Sequence, residues 1–87
     1  MYKINLTKKP AKIYENANSS LLNKLNRCFE QLQNNPHSHP NINRLQGKLA
    51  GKFRYRLGDW RVIYSINEEN QLVIISIIAA RGEAYER

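Results

Sequence analysis

The stretch Gly51-Lys-Phe-Arg-Tyr-Arg-Leu-Gly-Asp-Trp-Arg-Val-Ile-Tyr64 reads as a β-hairpin with its charge gathered on one side. Phe53, Tyr55 and Leu57 fall on one face of the first arm and Lys52, Arg54 and Arg56 on the other, the period of two that a half-buried strand requires. Gly58-Asp59 supplies a two-residue turn, where glycine tolerates the positive φ that such turns demand. Counting outward from that turn pairs Leu57 with Trp60, Arg56 with Arg61, Tyr55 with Val62, Arg54 with Ile63 and Phe53 with Tyr64. Two guanidinium groups are therefore expected side by side, an arrangement that destabilises a sheet by some tenths of a kcal/mol. Either a polyanion or a carboxylate from elsewhere in the chain is expected to complete this face, and the polyanion is the favoured reading.

Composition points the same way. The chain has 87 residues, 41% of them hydrophobic, which allows one domain, residues 1–87, and one modest core. Fourteen Lys and Arg against seven Asp and Glu give a net charge of +7, and between Gln31 and Gly58 there are five basic residues and no acidic one. An acid-free basic stretch of that length, running through the first arm of the hairpin, suits a nucleic acid. Cys28 is the single cysteine and can form no internal disulfide, which suggests a reducing compartment. The N-terminus has no continuous apolar run of signal-peptide type and no segment approaches membrane-spanning length, so the expected location is the cytoplasm.

Around the hairpin the periodicities alternate between strand and helix. Tyr2 to Leu6 alternates polar and apolar, with Ile4 and Leu6 bracketed by Lys3, Asn5 and Thr7, and predicts a short first strand, after which Thr7 can cap a helix beginning at Lys8 with Pro10 in its first turn. That helix turns Ile13, Tyr14 and Ala17 inward. Asn18-Ser19-Ser20 offers new caps for a second helix, on which Leu21, Leu22, Leu25, Cys28, Phe29 and Leu32 form a single apolar stripe. Asn34-Asn35-Pro36 ends it. Two helices so closely joined fold back on each other and lay their stripes on a sheet. Pro36 to Lys48 shows no periodicity and reads as a loop. Its histidines, His37 and His39, read as solvated, since no cysteine or carboxylate accompanies them in the loop and a structural metal usually takes four ligands. Asn67 to Asn70 is a polar loop, and Leu72-Val-Ile-Ile-Ser-Ile-Ile-Ala79 is an interior strand covered on two sides.

The expected fold is α+β, with a helix hairpin on one face of a mainly antiparallel sheet and Lys52, Arg54, Arg56 and Arg61 on the open face. Trp60, Phe53, Tyr55 and Tyr64 alternate onto the opposite side and read as core beneath the helices. Arg81 ends the last strand and Tyr85 stands near the chain end in a short polar segment. Several guanidinium groups and a phenol, with no acidic cluster, suit a phosphate that gains negative charge in a transition state, and suit simple phosphate binding equally.

Leu45-x-Gly47, Phe53-Arg-Tyr-Arg56, Gly58-Asp-Trp-Arg-Val-Ile-Tyr64 and Arg81-x-Glu-x-Tyr85, in the order strand, helix hairpin, loop and three strands, resemble the RelE/ParE superfamily of toxins. The resemblance covers nearly the whole chain. It implies a RelE-like toxin of a type II toxin-antitoxin module that acts as a ribosome-dependent endoribonuclease. Such a toxin cleaves mRNA in the A site through attack of a 2′-OH on the adjacent phosphate and is silenced by a cognate antitoxin. Carried over by position, Arg61 and Arg81 would stabilise the phosphate, Arg54 would sit at a catalytic strand position, and Tyr85 would stack on or deprotonate the nucleotide. Arg56, Lys52, Lys48 and Arg44 would contact RNA, and no cofactor or metal is implied. Many relatives read Gly-His-Arg-Arg where this chain has Ala79-Ala80-Arg81-Gly82, and a guanidinium is a poor proton donor, so Lys52 is the candidate acid. The ParE branch of the same superfamily implies the alternative of a toxin that inhibits DNA gyrase without cutting RNA.

Overall fold

A computed structural model describes residues 1–80. The elements run β1 (Lys3–Leu6), α1 (Lys8–Asn16), α2 (Ser19–Asn34), β2 (Ile42–Arg44), a 3-10 turn (Gly47–Leu49), β3 (Phe53–Leu57), β4 (Trp60–Asn67) and β5 (Leu72–Ala80). The sheet order is β1-β5-β4-β3-β2, so β2 to β5 form an antiparallel meander and β1 adds in parallel beside β5. β1 and β2 thus lie at opposite edges, and the helix pair that links them in sequence must cross the sheet. Both helices cross on one face, α1 over β1 and β5 and α2 over β1 and β3. The fold is α+β with a helix hairpin on a mainly antiparallel sheet.

Local signals set the helix ends. Asn18 caps α2 by accepting a hydrogen bond from the Leu21 N–H at 2.9 Å. Thr7, expected to cap α1, instead donates its hydroxyl to the Ile75 carbonyl at 3.2 Å. The parallel β1–β5 pairing brings that carbonyl within reach, so tertiary contact takes the side chain from its local use. Pro10 occupies the first turn of α1 and is buried.

The core lies between helices and sheet. Leu25, Cys28, Phe29 and Leu32 of α2 meet Phe53, Tyr55, Leu57, Val62, Tyr64, Val73, Ile75 and Ile78, with Trp60, Ile13 and Tyr14 packed at the margin. Burial raises the Cys28 thiol pKa above its ordinary value, which makes it an unreactive core side chain. Tyr64 is fully buried, stacks on Phe53 with ring centroids 5.4 Å apart, and donates its hydroxyl to the Pro36 carbonyl at 2.8 Å. That bond fixes the segment after α2 to the middle of the sheet.

Three features differ from the sequence reading. The segment read as a loop from Pro36 to Lys48 contains β2, which extends the sheet by pairing Ile42, Asn43 and Arg44 with Tyr55, Arg54 and Phe53. Three residues are too few for a visible alternation. The histidines are not simply solvated: His37 pairs with Glu68 at 2.7 Å, and His39 stacks on Tyr55 at 5.4 Å. β5 carries an irregularity at Ser76, because Ile63 pairs with Ile77 while Tyr64 pairs with Ile75. Ser76 steps out of the ladder as a bulge and donates its hydroxyl to the Ile63 carbonyl at 3.2 Å. The bulge lets Ile75 and Ile78, three positions apart, both face the helices.

Tyr64 carries a test of this core. Its folded pKa is raised by burial, whereas the unfolded phenol ionises near pH 10. Above about pH 10 the unfolded chain therefore releases a proton that the native state retains, and stability falls as pH rises. Tyr64→Phe is expected to cost about 1–3 kcal/mol in urea unfolding at pH 7, through the unpaired Pro36 carbonyl, and to flatten the alkaline decline. Unchanged stability at both pH values would show that the Pro36 bond does not hold the core.

Candidate nucleic-acid interface

The side chains on the sheet face away from the helices follow from the register. One row across the sheet reads Asn43, Arg54, Ile63 and Ile77, and the next, nearer the hairpin tip, reads Arg56, Arg61 and Ala79. Arg56 and Arg61 are direct cross-strand partners, and Arg54 lies two residues from Arg56 on the same face. The hairpin thus gathers three guanidinium groups at one end of the sheet. The other end of this face carries Asn5, Ser65 and Ile74 in one row and Lys3, Leu72 and Asn67 in the next, so a single lysine stands there against the three arginines.

The arginines are held differently. Arg61 folds back over the turn and donates from Nη1 to the Gly58 carbonyl at 3.0 Å and the Trp60 carbonyl at 2.9 Å. These bonds hold the guanidinium over the turn and use one of its nitrogens, and the cross-strand neighbour on β5 is the small Ala79. Arg56 is exposed and has no hydrogen-bond or ion-pair partner among the described residues. Arg54 is half-buried next to Ile63, which is fully buried although it lies on the face away from the helices. This corrects the expectation of a wholly open face: it is open at Arg56 and closed around Ile63.

The remaining predicted residues divide. Lys52 is half-buried just ahead of β3, joined to the end of β2 by the Leu45 N–H bond to its carbonyl at 3.0 Å. Lys48 is exposed in the 3-10 turn. Arg44 pairs with Phe53, which puts it on the helix side, with its guanidinium carbon 5.4 Å from the centre of the Phe53 ring. It does not join the cluster of Arg54, Arg56 and Arg61. Arg81 and Tyr85 lie outside the described residues; β5 is described to Ala80, which pairs with Trp60 at the hairpin tip. Phe53, Tyr55 and Tyr64 are core, and Trp60 is half-buried against it. Burial raises the Tyr55 and Tyr64 phenol pKa values, so neither serves as a base near neutral pH.

The sequence reading overlooked Lys24 on α2. Its Nζ lies 3.5 Å from the place a Cβ would occupy on Gly58, whose φ is +63°. A helix residue more than thirty positions away thereby reaches the hairpin turn, and only the crossing of α2 over β3 reveals it.

Known proteins can be compared with this geometry. The family model for the ParE toxin of the type II toxin-antitoxin system parDE matches residues 6–85. No curated protein matches the chain closely enough to count as a relative. Among solved structures, the chain is similar to that of the archaeal RelE–RelB complex from Pyrococcus horikoshii, with 26% identity, a TM-score of 0.79 and coverage of 95% of this chain and 98% of that one. The RelBE2 toxin-antitoxin complex from Mycobacterium tuberculosis matches at 23% identity and TM-score 0.77, covering 92% and 98%. The isolated RelE toxin of E. coli matches at 15% identity and TM-score 0.79, covering 95% and 87%. The fold is thus that of RelE toxins, and the chain belongs to the ParE toxin family of type II toxin-antitoxin systems, within the RelE/ParE superfamily.

Proposed function

We propose that the protein is a RelE-like endoribonuclease toxin that cuts mRNA in the ribosomal A site. The observation that carries this reading is the set of three guanidinium groups on adjacent rows of one sheet face, with Arg56 and Arg61 forced together by the turn. Such a group suits the extra negative charge of a phosphate under attack. In the proposed reaction the ribose 2′-oxygen bonds to the adjoining phosphorus, the bond to the 5′-oxygen breaks, and a 2′,3′-cyclic phosphate and a 5′-hydroxyl result. Arg61 and Arg81 stabilise the phosphate oxygens, with Arg54 beside them, and Tyr85 stacks on the nucleotide or takes the 2′-OH proton. Lys52 protonates the departing 5′-oxygen. Arg56 and Lys48 bind flanking RNA phosphates, and Arg44, on the far side of the sheet, takes a more distant contact. With no histidine on the described part of this face, the ribosome is needed to hold the 2′-OH in line.

A second reading follows from the matching family model, which is named for ParE. In that reading the protein inhibits DNA gyrase and cuts no RNA. Both readings include a cognate antitoxin, and the solved RelE–RelB and RelBE2 complexes support that partner. Both also fit action in the cytoplasm, and no helix among the described residues is long and apolar enough to cross a membrane.

Two experiments test these proposals. Primer extension after induction is expected to map cuts within translated codons that vanish when ribosomes are kept off the message, and Arg61→Ala is expected to lower the cleavage rate by roughly two to three orders of magnitude. Intact messages together with inhibited supercoiling by purified gyrase would replace the nuclease with the ParE-like reading. For the partner, the product of an adjacent small acidic gene is expected to co-purify with the toxin, with an association rate that falls as salt rises. Failure of a co-expressed acidic neighbour to bind would count against an antitoxin that covers the arginine face.

A further inference from the structure

We propose that Lys24 and Arg27 of α2 form a second phosphate-binding rim that carries an RNA strand from the arginine face over the hairpin tip onto the helix layer. The inference rests on the RNA-binding reading and extends the bound surface to residues on the other side of the molecule.

The tip itself supports the proposal. Gly58 has no side chain and a φ of +63°, and the space beside it is occupied by the Lys24 ammonium. On its other side the carbonyls of Gly58 and Trp60 accept from Arg61. The Gly58 and Trp60 carbonyls are therefore engaged by the guanidinium, and two cations flank one two-residue turn. Asp59, in the same turn, forms no ion pair with Lys24, and among the described residues no other carboxylate pairs with the ammonium. Lys24 and Arg27 are both exposed and stand three residues apart, on neighbouring positions of one helix face. Arg56, Arg61, Lys24 and Arg27 thus form a basic path around the tip, interrupted among the described residues by the exposed carboxylates of Asp59 and of Glu30, three positions on from Arg27. A flexible single strand can follow such a path where a rigid duplex cannot.

α1 provides an internal control. Lys12 is also exposed but lies on a helix packed over β1 and β5, whereas it is α2 that packs on β3 and brings Lys24 to the turn. A general attraction to net charge would treat Lys12 and Lys24 alike, whereas a rim at the tip distinguishes them.

The test is fluorescence anisotropy with the full chain and a labelled single-stranded oligoribonucleotide, 2′-O-methylated so that it cannot be cut, across a range of salt concentrations. Lys24→Ala is expected to reduce the slope of log Kobs against log salt by about 0.7, and Lys24→Ala/Arg27→Ala by about 1.4, the loss of one and two phosphate contacts. Lys12→Ala is expected to leave the slope at the wild-type value. A wild-type slope for Lys24→Ala, or an equal loss for Lys12→Ala, would overturn the rim while leaving the arginine face intact. Arg56→Ala reports on the underlying reading: absence of RNA binding by the wild type, or an unchanged slope for Arg56→Ala, would sink the RNA interface itself.

Discussion

The register of the β3–β4 hairpin is the constraint on which the rest of the structure depends. Gly58 adopts a positive φ, the turn closes in two residues, and every pair up the ladder is then determined. Because side chains alternate, this single choice sends Phe53, Tyr55, Leu57, Val62 and Tyr64 beneath the helices and Arg54, Arg56 and Arg61 to the other face. A slip of one residue would bury the guanidinium groups and expose the aromatic ones. The apolar stripe of α2 makes that slip prohibitive, since Leu25, Cys28 and Leu32 are fully buried against the aromatic side.

The same constraint produces the crowding of Arg56 and Arg61. Packing stabilises the register strongly, whereas opposed like charges cost only some tenths of a kcal/mol, so the core wins and the cations stay together. The protein partly relieves the crowding by folding the Arg61 guanidinium onto turn carbonyls. What remains is a fixed cation beside an exposed one, an arrangement that an RNA phosphate would complete with little reorganisation.

Much of this was legible in the sequence because strong periodicities specify it. Both helices, the hairpin with all of its cross-strand pairs, and the central place of β5 in the sheet follow from alternation, apolar stripes and turn chemistry. The expected cover on both faces of β5 does not hold, since Ile74, Ile77 and Ala79 on the face away from the helices are only half-buried. What was not legible depends on partners distant in the chain. β2 is too short to show a period and exists because β3 offers it an edge. The Ser76 bulge is hidden in an unbroken apolar run, where neither face is marked by a polar residue. Thr7 was diverted to a carbonyl on β5, and His37 found Glu68 across a separation of 31 residues. For the candidate site, the grouping of Arg54, Arg56 and Arg61 was readable, but the isolation of Arg44 on the far face required the β2 register, and the approach of Lys24 to Gly58 required the helix crossing.

The RelE-like and ParE-like readings share this scaffold and differ in what the basic face is for. If the face exists to receive RNA, removing one of the opposed charges separates stability from binding. The most direct measurement is urea unfolding of Arg56→Gln beside the wild type, with and without an uncleavable single-stranded oligoribonucleotide. The account predicts that the variant alone is more stable by some tenths of a kcal/mol, through relief of the repulsion, and that it gains less stability from RNA than the wild type does. A variant that is less stable alone, or that gains as much from RNA, would contradict it.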